Sequence, residues 1–231
     1  MTSEVALVDG QTRCVIKRCR DPIYVEWLRR EHRVLRELAA SPLPIPRVLD
    51  YFEVNDEDRS DVWLVMSRLD GRSLWSEMLG ANVPQRVELF RRLGGLLGQL
   101  HATPVPDRLF ATSPWTDRQL VKAEHHLSWC DGTPDLLADL HRRRPPPMPE
   151  VLIHGDLALD NVLIAPDGAL SLIDWSSGDM GDARCDLSLA LLTEPEIQLT
   201  EAERLSFFEG YGTAPLDEVT RRWFEELYEF F

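Results

Sequence analysis

The chain has 231 residues, 44% of them apolar, enough for one large domain or two small lobes sharing a cleft. Its net charge of −14 falls wholly in residues 145–231, where 4 Lys/Arg stand against 18 Asp/Glu; residues 1–144 balance at 21 of each. Such a surface repels nucleic acid and anionic membrane and draws in a small cationic molecule, and no apolar run approaches the roughly 18 residues of a bilayer span.

The first ten residues, MTSEVALVDG, lack the basic and apolar regions of a secretory leader. Glu4 to Val8 and Arg13 to Arg18 are predicted strands around the hairpin signal Asp9-Gly10, with Lys17 near the end of the second. Asp21-Pro22 then opens a helix, Asp as its cap and Pro at its first position. Along that helix Tyr24, Trp27, Leu28, Leu35 and Leu38 form an apolar stripe with Glu31 in its middle. A carboxylate on a buried face needs a cation, and Lys17 on the preceding strand is its natural partner. Pro42, Pro44 and Pro46 mark a connection, followed by a strand over Arg47 to Val54, a charged loop over Asn55 to Asp61 and a strand over Val62 to Met66. In Ser67-Arg68-Leu69-Asp70-Gly71 the glycine permits a sharp exit from the sheet. Leu74 to His101 is predicted helical, with His101 a helix-end residue. A helical hairpin follows over Asp117 to His141, interrupted at Asp131-Gly132-Thr133-Pro134. Cys14, Cys19, Cys130 and Cys185 show neither CxxC spacing nor His partners at metal-ligand intervals, which points to reduced thiols and a cytoplasmic location.

The densest chemistry lies between Val151 and Trp175, in VLIHGDLALDNVLIAPDGALSLIDW. Asp156 follows an apolar strand, and Asn161 comes five residues later. Val162 to Ile164 and Leu170 to Ile173 flank the turn signal Pro166-Asp167-Gly168. With the turn near Pro166 and Asp167, Asn161 comes within a residue or two of opposite Asp174. An amide oxygen and a carboxylate then converge beside the Asp156 loop, a hard-oxygen donor set that suits Mg²⁺. One aspartate to take a hydroxyl proton, with an Asn and an Asp to hold the ion, is an arrangement for phosphoryl transfer. His154 is expected to support the loop. Asp186 is an N-cap candidate before the apolar run Leu187 to Leu192. The last helix, about Asp217 to Phe231, carries Val219, Trp223, Phe224, Leu227 and Phe231 on one face.

These residues resemble the aminoglycoside phosphotransferase family, relatives of choline kinases and protein kinases, with aminoglycoside 3′-phosphotransferases most similar. The family carries a His-Gly-Asp-x-x-x-x-Asn loop, matched by His154 to Asn161, and an Ile-Asp metal motif, matched by Ile173-Asp174. Gly181 to Leu187 and the Leu-His pair at Leu100-His101 are similar as well. The closing Glu229-Phe230-Phe231 resembles the Asp-Glu-Phe-Phe end of the 3′-phosphotransferases.

The resemblance implies an α+β, protein-kinase-like two-lobed fold. Its small antiparallel nucleotide-binding lobe would span residues 1–68, short of the family's first strand, and its larger helical catalytic and substrate lobe residues 69–231. It also implies ATP (or GTP) as co-substrate and Mg²⁺ held by Asn161 and Asp174. Asp156 becomes the catalytic base, Lys17 with Glu31 the phosphate grip, and the backbone at Ser67 and Leu69 the adenine contact. Family members have a nucleotide-covering loop ahead of the first hairpin found here, and Ser3 would take the part of its serine. Asp131, Glu229 and Phe231 become acceptor-site candidates. So does Glu194, which follows Leu192-Thr193 where 3′-phosphotransferases often have an Arg-Asp pair. The implied reaction moves the γ-phosphoryl group to a hydroxyl of a small cationic molecule, an aminoglycoside antibiotic. Two alternatives stay open: a choline-, homoserine- or sugar-like acceptor, and a catalytically weak nucleotide-binding protein arising from the short N-terminus.

Overall fold

A computed structural model describes residues 3–10, 12–56, 59–192 and 197–231 of the chain. The hairpin expected around Asp9-Gly10 forms from β1 (Glu4–Val8) and β2 (Cys14–Cys19), with Lys17 opposite Val5. Helix α1 (Pro22–Glu37) starts where the Asp21 side chain accepts a hydrogen bond from the Ile23 N–H. Its buried face consists of Val25, Leu28, Glu31, Val34, Leu35 and the C-capping Leu38. That face is rotated slightly from the predicted stripe. Tyr24 and Trp27 sit half-buried at its rim, edge to face with centroids 5.3 Å apart, where large aromatics with polar tips meet both core and water.

Strands β3 (Val48–Asp56) and β4 (Arg59–Ser67) complete an antiparallel sheet of order β1-β2-β4-β3. The ladder continues to Asp56 opposite Arg59, so most of the predicted charged loop is paired strand. Backbone pairing there is indifferent to side-chain polarity. After β5 (Arg72–Ser73) come α2 (Leu74–Gly80), α3 (Val83–Ala102), α4 (Trp115–His126) and α5 (Pro134–Arg142). The short strands β6 (Val151–Ile153), β7 (Val162–Ile164), β8 (Leu170–Leu172) and β9 (Asp179–Gly181) follow, then α6 (Ala183–Leu189), α7 (Glu201–Tyr211) and α8 (Glu218–Tyr228).

Contacts divide the chain into one compact unit of Met1–Glu77 with Leu159–Gly178 and another of Met78–Ala158 with Asp179–Phe231. The β7–β8 hairpin therefore groups with the N-terminal sheet, whereas the sequence reading assigns it to the helical part. The cause is backbone pairing. Arg72 and Ser73 of β5 pair with Ile164 and Leu163, and the Leu172 N–H donates to the Pro44 carbonyl at 2.9 Å. Gly71, at φ 140°, makes this possible, because a Cβ there would lie 2.6 Å from the Ile164 oxygen.

The second unit is mainly helical. Helices α3 and α7 touch backbone to backbone: a Cβ on Gly94 would stand 2.0 Å from the Phe207 oxygen, and one on Gly210 1.9 Å from the Arg91 oxygen. A separate core joins Trp115, Leu120, Leu137, Leu140, Ile153, Leu189, Trp223, Phe224, Leu227 and Phe230. All four cysteines are free. Among the described residues no helix is long and apolar enough to cross a membrane.

Candidate active site

Strand β6 delivers the chain into His154-Gly155-Asp156, a loop held by an acid thirty residues downstream. The His154 N–H donates to Asp186 Oδ2 at 2.7 Å and the Gly155 N–H to Asp186 Oδ1 at 2.8 Å. His101 Nε2 lies 3.1 Å from the same Oδ2, and its Nδ1 lies 2.9 Å from the Tyr211 hydroxyl. With Nε2–H donating to the carboxylate, Nδ1 accepts from Tyr211. Gly155 adopts φ 79°, a left-handed conformation that lets consecutive N–H groups converge on one carboxylate.

The predicted cap role of Asp186 is thereby corrected. Asp182 caps α6, accepting from the Arg184 N–H at 3.0 Å, while Asp186 lies one turn inside the helix and fully buried. Burial works against ionisation of Asp186, but the hydrogen bond from His101, aided by the loop N–H groups, outweighs it and holds its carboxyl below the ordinary value of 3.8. Asp156 itself is half-buried, and its Oδ1 accepts a hydrogen bond from the Tyr228 hydroxyl at 2.6 Å. His154 is completely buried and supports the loop through its backbone, as just described.

In the other compact unit, Lys17 Nζ donates to both oxygens of Glu31 at 2.8 Å and lies 3.2 Å from Asp174 Oδ1. The Lys17 side chain is 12% exposed and that of Glu31 2%, while that of Asp174 is 42% exposed. Burial opposes the Lys17 charge, but the two carboxylates override it and raise the ammonium above its usual value, so the lysine stays charged. Burial pushes the Glu31 carboxyl up, with Lys17 pulling it back. Removing one member of such a pair strands a buried charge. Lys17→Ala is therefore expected to lower the unfolding free energy by about 3 kcal/mol, and Lys17→Met with Glu31→Leu to recover most of it. Urea melts check both, and an unchanged midpoint in Lys17→Ala would sink the claim.

Asn161 and Asp174 flank the β7–β8 hairpin. Val162 pairs with Leu172, and the Ile173 N–H donates to the Asn161 carbonyl at 2.9 Å, so Asp174 lies one residue past the position opposite Asn161. The turn closes as predicted, the Gly168 N–H donating to the Ala165 carbonyl at 2.8 Å with Gly168 at φ 87°. Asp174 has φ 64° and ψ 69°, the one positive φ outside glycine among the described residues. Aspartate tolerates that region better than most residues, and backbone strain of this kind gathers at functional sites. Among the described residues no group of three or more His, Cys, Asp or Glu gathers to hold a metal ion. One carboxylate and one amide oxygen fit Mg²⁺, which takes one or two protein ligands and leaves the rest to water and phosphate.

The remaining predicted residues fall at element ends. Ser67 closes β4, its N–H donating to the Arg47 carbonyl and its Oγ accepting from the Arg47 N–H, both at 2.8 Å; half-buried Leu69 follows. Ser3 precedes β1, two residues before Val5, the register partner of Lys17. Exposed Asp131 and Glu229 are brought close together, because the Gly132 N–H donates to the Glu229 carbonyl at 3.1 Å. Phe231 is 38% exposed, its ring 5.3 Å from that of His126. Glu194 lies outside the described residues. The sequence reading missed Tyr228 altogether. It also missed the anchoring role of Asp186, although an acid amid Cys185 and Leu187 carries the same warning as Glu31 does on its apolar face.

Comparison with known proteins gives concordant findings. The profile described as the phosphotransferase enzyme family matches residues 2–227. An aminoglycoside 3′-phosphotransferase of Streptomyces fradiae is 28% identical over 230 residues, covering 90% of this chain and 77% of the relative. One from Streptomyces ribosidificus is 27% identical, covering 84% and 77%. The crystal structure of an aminoglycoside-3′-phosphotransferase of type VIII superposes with a TM-score of 0.76 at 24% identity, covering 100% of this chain and 94% of the other. That likeness establishes the kinase-like α+β fold. A streptomycin–ATP–APH(2″)-IIa ternary complex superposes at 0.64 with 18% identity, covering 96% and 81%.

Proposed function

The chain belongs to the phosphotransferase enzyme family, and from that premise we propose that it transfers the γ-phosphoryl group of ATP or GTP to a hydroxyl of an aminoglycoside, conferring resistance on a cell that carries it. One observation carries this reading: a buried lysine clamped by Glu31 at 2.8 Å and tied to Asp174 at 3.2 Å, at the end of the hairpin that begins at Asn161. A buried ion pair contributes little to stability compared with apolar packing, so its retention points to use. Lys17 would grip the α- and β-phosphates, its ammonium aimed by Glu31. Asn161 and Asp174 would hold Mg²⁺, which when bound neutralises phosphate charge. Because the Ser67 N–H is engaged by Arg47, adenine would meet the Ser67 carbonyl and the Leu69 N–H, with Ser3 near the phosphates. Asp156 would orient the acceptor hydroxyl and take its proton.

The acceptor class follows from charge. Residues 145–231 hold 18 acids against 4 Lys/Arg, and Asp131 and Glu229 stand together at the end of α8. Polyamine acceptors would be drawn to such a surface and nucleic acid repelled. The four free cysteines suit a reducing cytoplasm, where ATP is abundant. Phosphoryl transfer from labelled ATP should be measured across aminoglycosides, choline, homoserine and simple sugars, alongside kanamycin tolerance of expressing bacteria. Transfer to aminoglycosides with raised tolerance is the expected result. Transfer only to the metabolites would reassign the acceptor. A melting-temperature rise with Mg-ATP but no transfer to any acceptor would overturn the enzyme reading.

A further inference from the structure

We infer that Tyr228 is a positioning residue for the transfer reaction, its hydroxyl setting the orientation of the Asp156 carboxylate. The role presupposes the phosphoryl-transfer reading above and adds a residue to it. The hydroxyl donates to Asp156 Oδ1 at 2.6 Å across 72 residues of sequence, a length typical of an O–H donor on an ionised carboxylate.

Both ends of this bond are fixed independently. Helix α8 is pinned by Trp223, Phe224, Leu227 and the following Phe230, all at 2% exposure or less, and by the Trp223 Nε1–H donating to the Leu140 carbonyl at 2.9 Å. Tyr228 itself packs its ring against that core. On the other side, Asp186 holds the His154 and Gly155 N–H groups at 2.7 and 2.8 Å. That anchor sets where Asp156 Cα lies. It does nothing to the last torsion of the side chain, which is broad and roughly two-fold for aspartate. A donor fixed in space on Oδ1 chooses the plane of the carboxylate, and with it the direction of Oδ2.

A base that must meet a hydroxyl proton in line with phosphoryl transfer needs that choice made before the acceptor arrives. In the step itself the acceptor oxygen bonds to the γ-phosphorus. The bond from that phosphorus to the β,γ-bridging oxygen breaks, and the nucleoside diphosphate departs with the electron pair. The acceptor's proton passes to Asp156 Oδ2. Tyr228 keeps its own proton throughout and donates to Oδ1 before and after.

The test compares the parent protein with Tyr228→Phe in single-turnover and steady-state transfer from Mg-ATP, using whichever acceptor the panel above identifies. Phenylalanine keeps the ring in the core and removes only the donor. The expected result is a single-turnover rate and kcat lower by roughly 10- to 100-fold, with both KM values little changed. The melting temperature should match the parent, and the loss in kcat without a matching change in either KM marks the residue as positioning the base rather than binding substrate. Equal kcat in parent and Tyr228→Phe would overturn the role while leaving the transfer reading intact. So would a raised acceptor KM with unchanged kcat, which makes Tyr228 a substrate contact, or an unfolded variant, which makes it a structural one. A parent protein inactive on every acceptor removes the transfer reading and this role with it.

Discussion

Asp156→Ala is expected to reduce kcat by roughly 10²- to 10⁴-fold, the range spanned by a lost general base. Nucleotide affinity should be essentially unaffected, because the groups assigned to the nucleotide, Lys17 and the β7–β8 hairpin, belong to the other compact unit. The fold should tolerate the change. Asp156 is half-buried, and the loop backbone around it is held by Asp186 through His154 and Gly155, not by Asp156 itself. Asp156→Asn makes the sharper control, since it preserves shape and can still accept from Tyr228 while losing the capacity to take a proton. Transfer kinetics with isothermal titration of Mg-ATP would separate the two effects. Either variant retaining more than a tenth of the parent kcat would remove Asp156 from the role of base.

The second large effect concerns stability. Asp186→Ala strips the acceptor from the buried His154 N–H, from His101 and from the partly buried Gly155 N–H. A donor left without an acceptor costs about 1–3 kcal/mol when fully buried and less for the partly buried Gly155 N–H, so a loss of at least about 3 kcal/mol is expected. Against a typical folding free energy of about 5–15 kcal/mol this threatens the fold itself. Turnover should fall with stability, because the Gly155 conformation at φ 79° loses its restraint. The pH dependence has a definite sign. The Asp186 carboxyl is depressed in the folded state, so its contribution is present above the ordinary value of 3.8 and disappears as pH falls through the lower folded value. Urea melts of Asp186→Ala should therefore differ most from the parent near neutrality and converge with it in strong acid. A constant difference down to the acid limit would contradict the anchoring role of the Asp186 carboxylate.

Much of the architecture was legible because local rules and the fold agree. Asp21-Pro22, Asp9-Gly10 and Pro166-Asp167-Gly168 each produced the cap or turn that their chemistry requires. Glu31 is the most instructive success. An acid on an apolar helix face is costly enough to demand a cation, and Lys17 meets it at 2.8 Å. The same rule applied to Asp186 would have found a buried anchor, but a conventional capping position near Leu187 offered a cheaper explanation. Asp182, with its side chain on the Arg184 N–H, was the actual cap.

By itself the amino-acid order determined where the turns fall, that Asn161 and Asp174 come together across the β7–β8 hairpin and that Lys17 answers the buried Glu31. Such features follow from interactions between residues near in sequence, or from a charge whose burial admits few partners. Only the tertiary structure decided that the hairpin packs with the N-terminal sheet, that Asp186 grips the loop and that the Tyr228 hydroxyl reaches Asp156. These contacts span tens of residues. They depend on how helices α6 and α8 settle in their core, a matter of packing shape that no local pattern of residue types encodes.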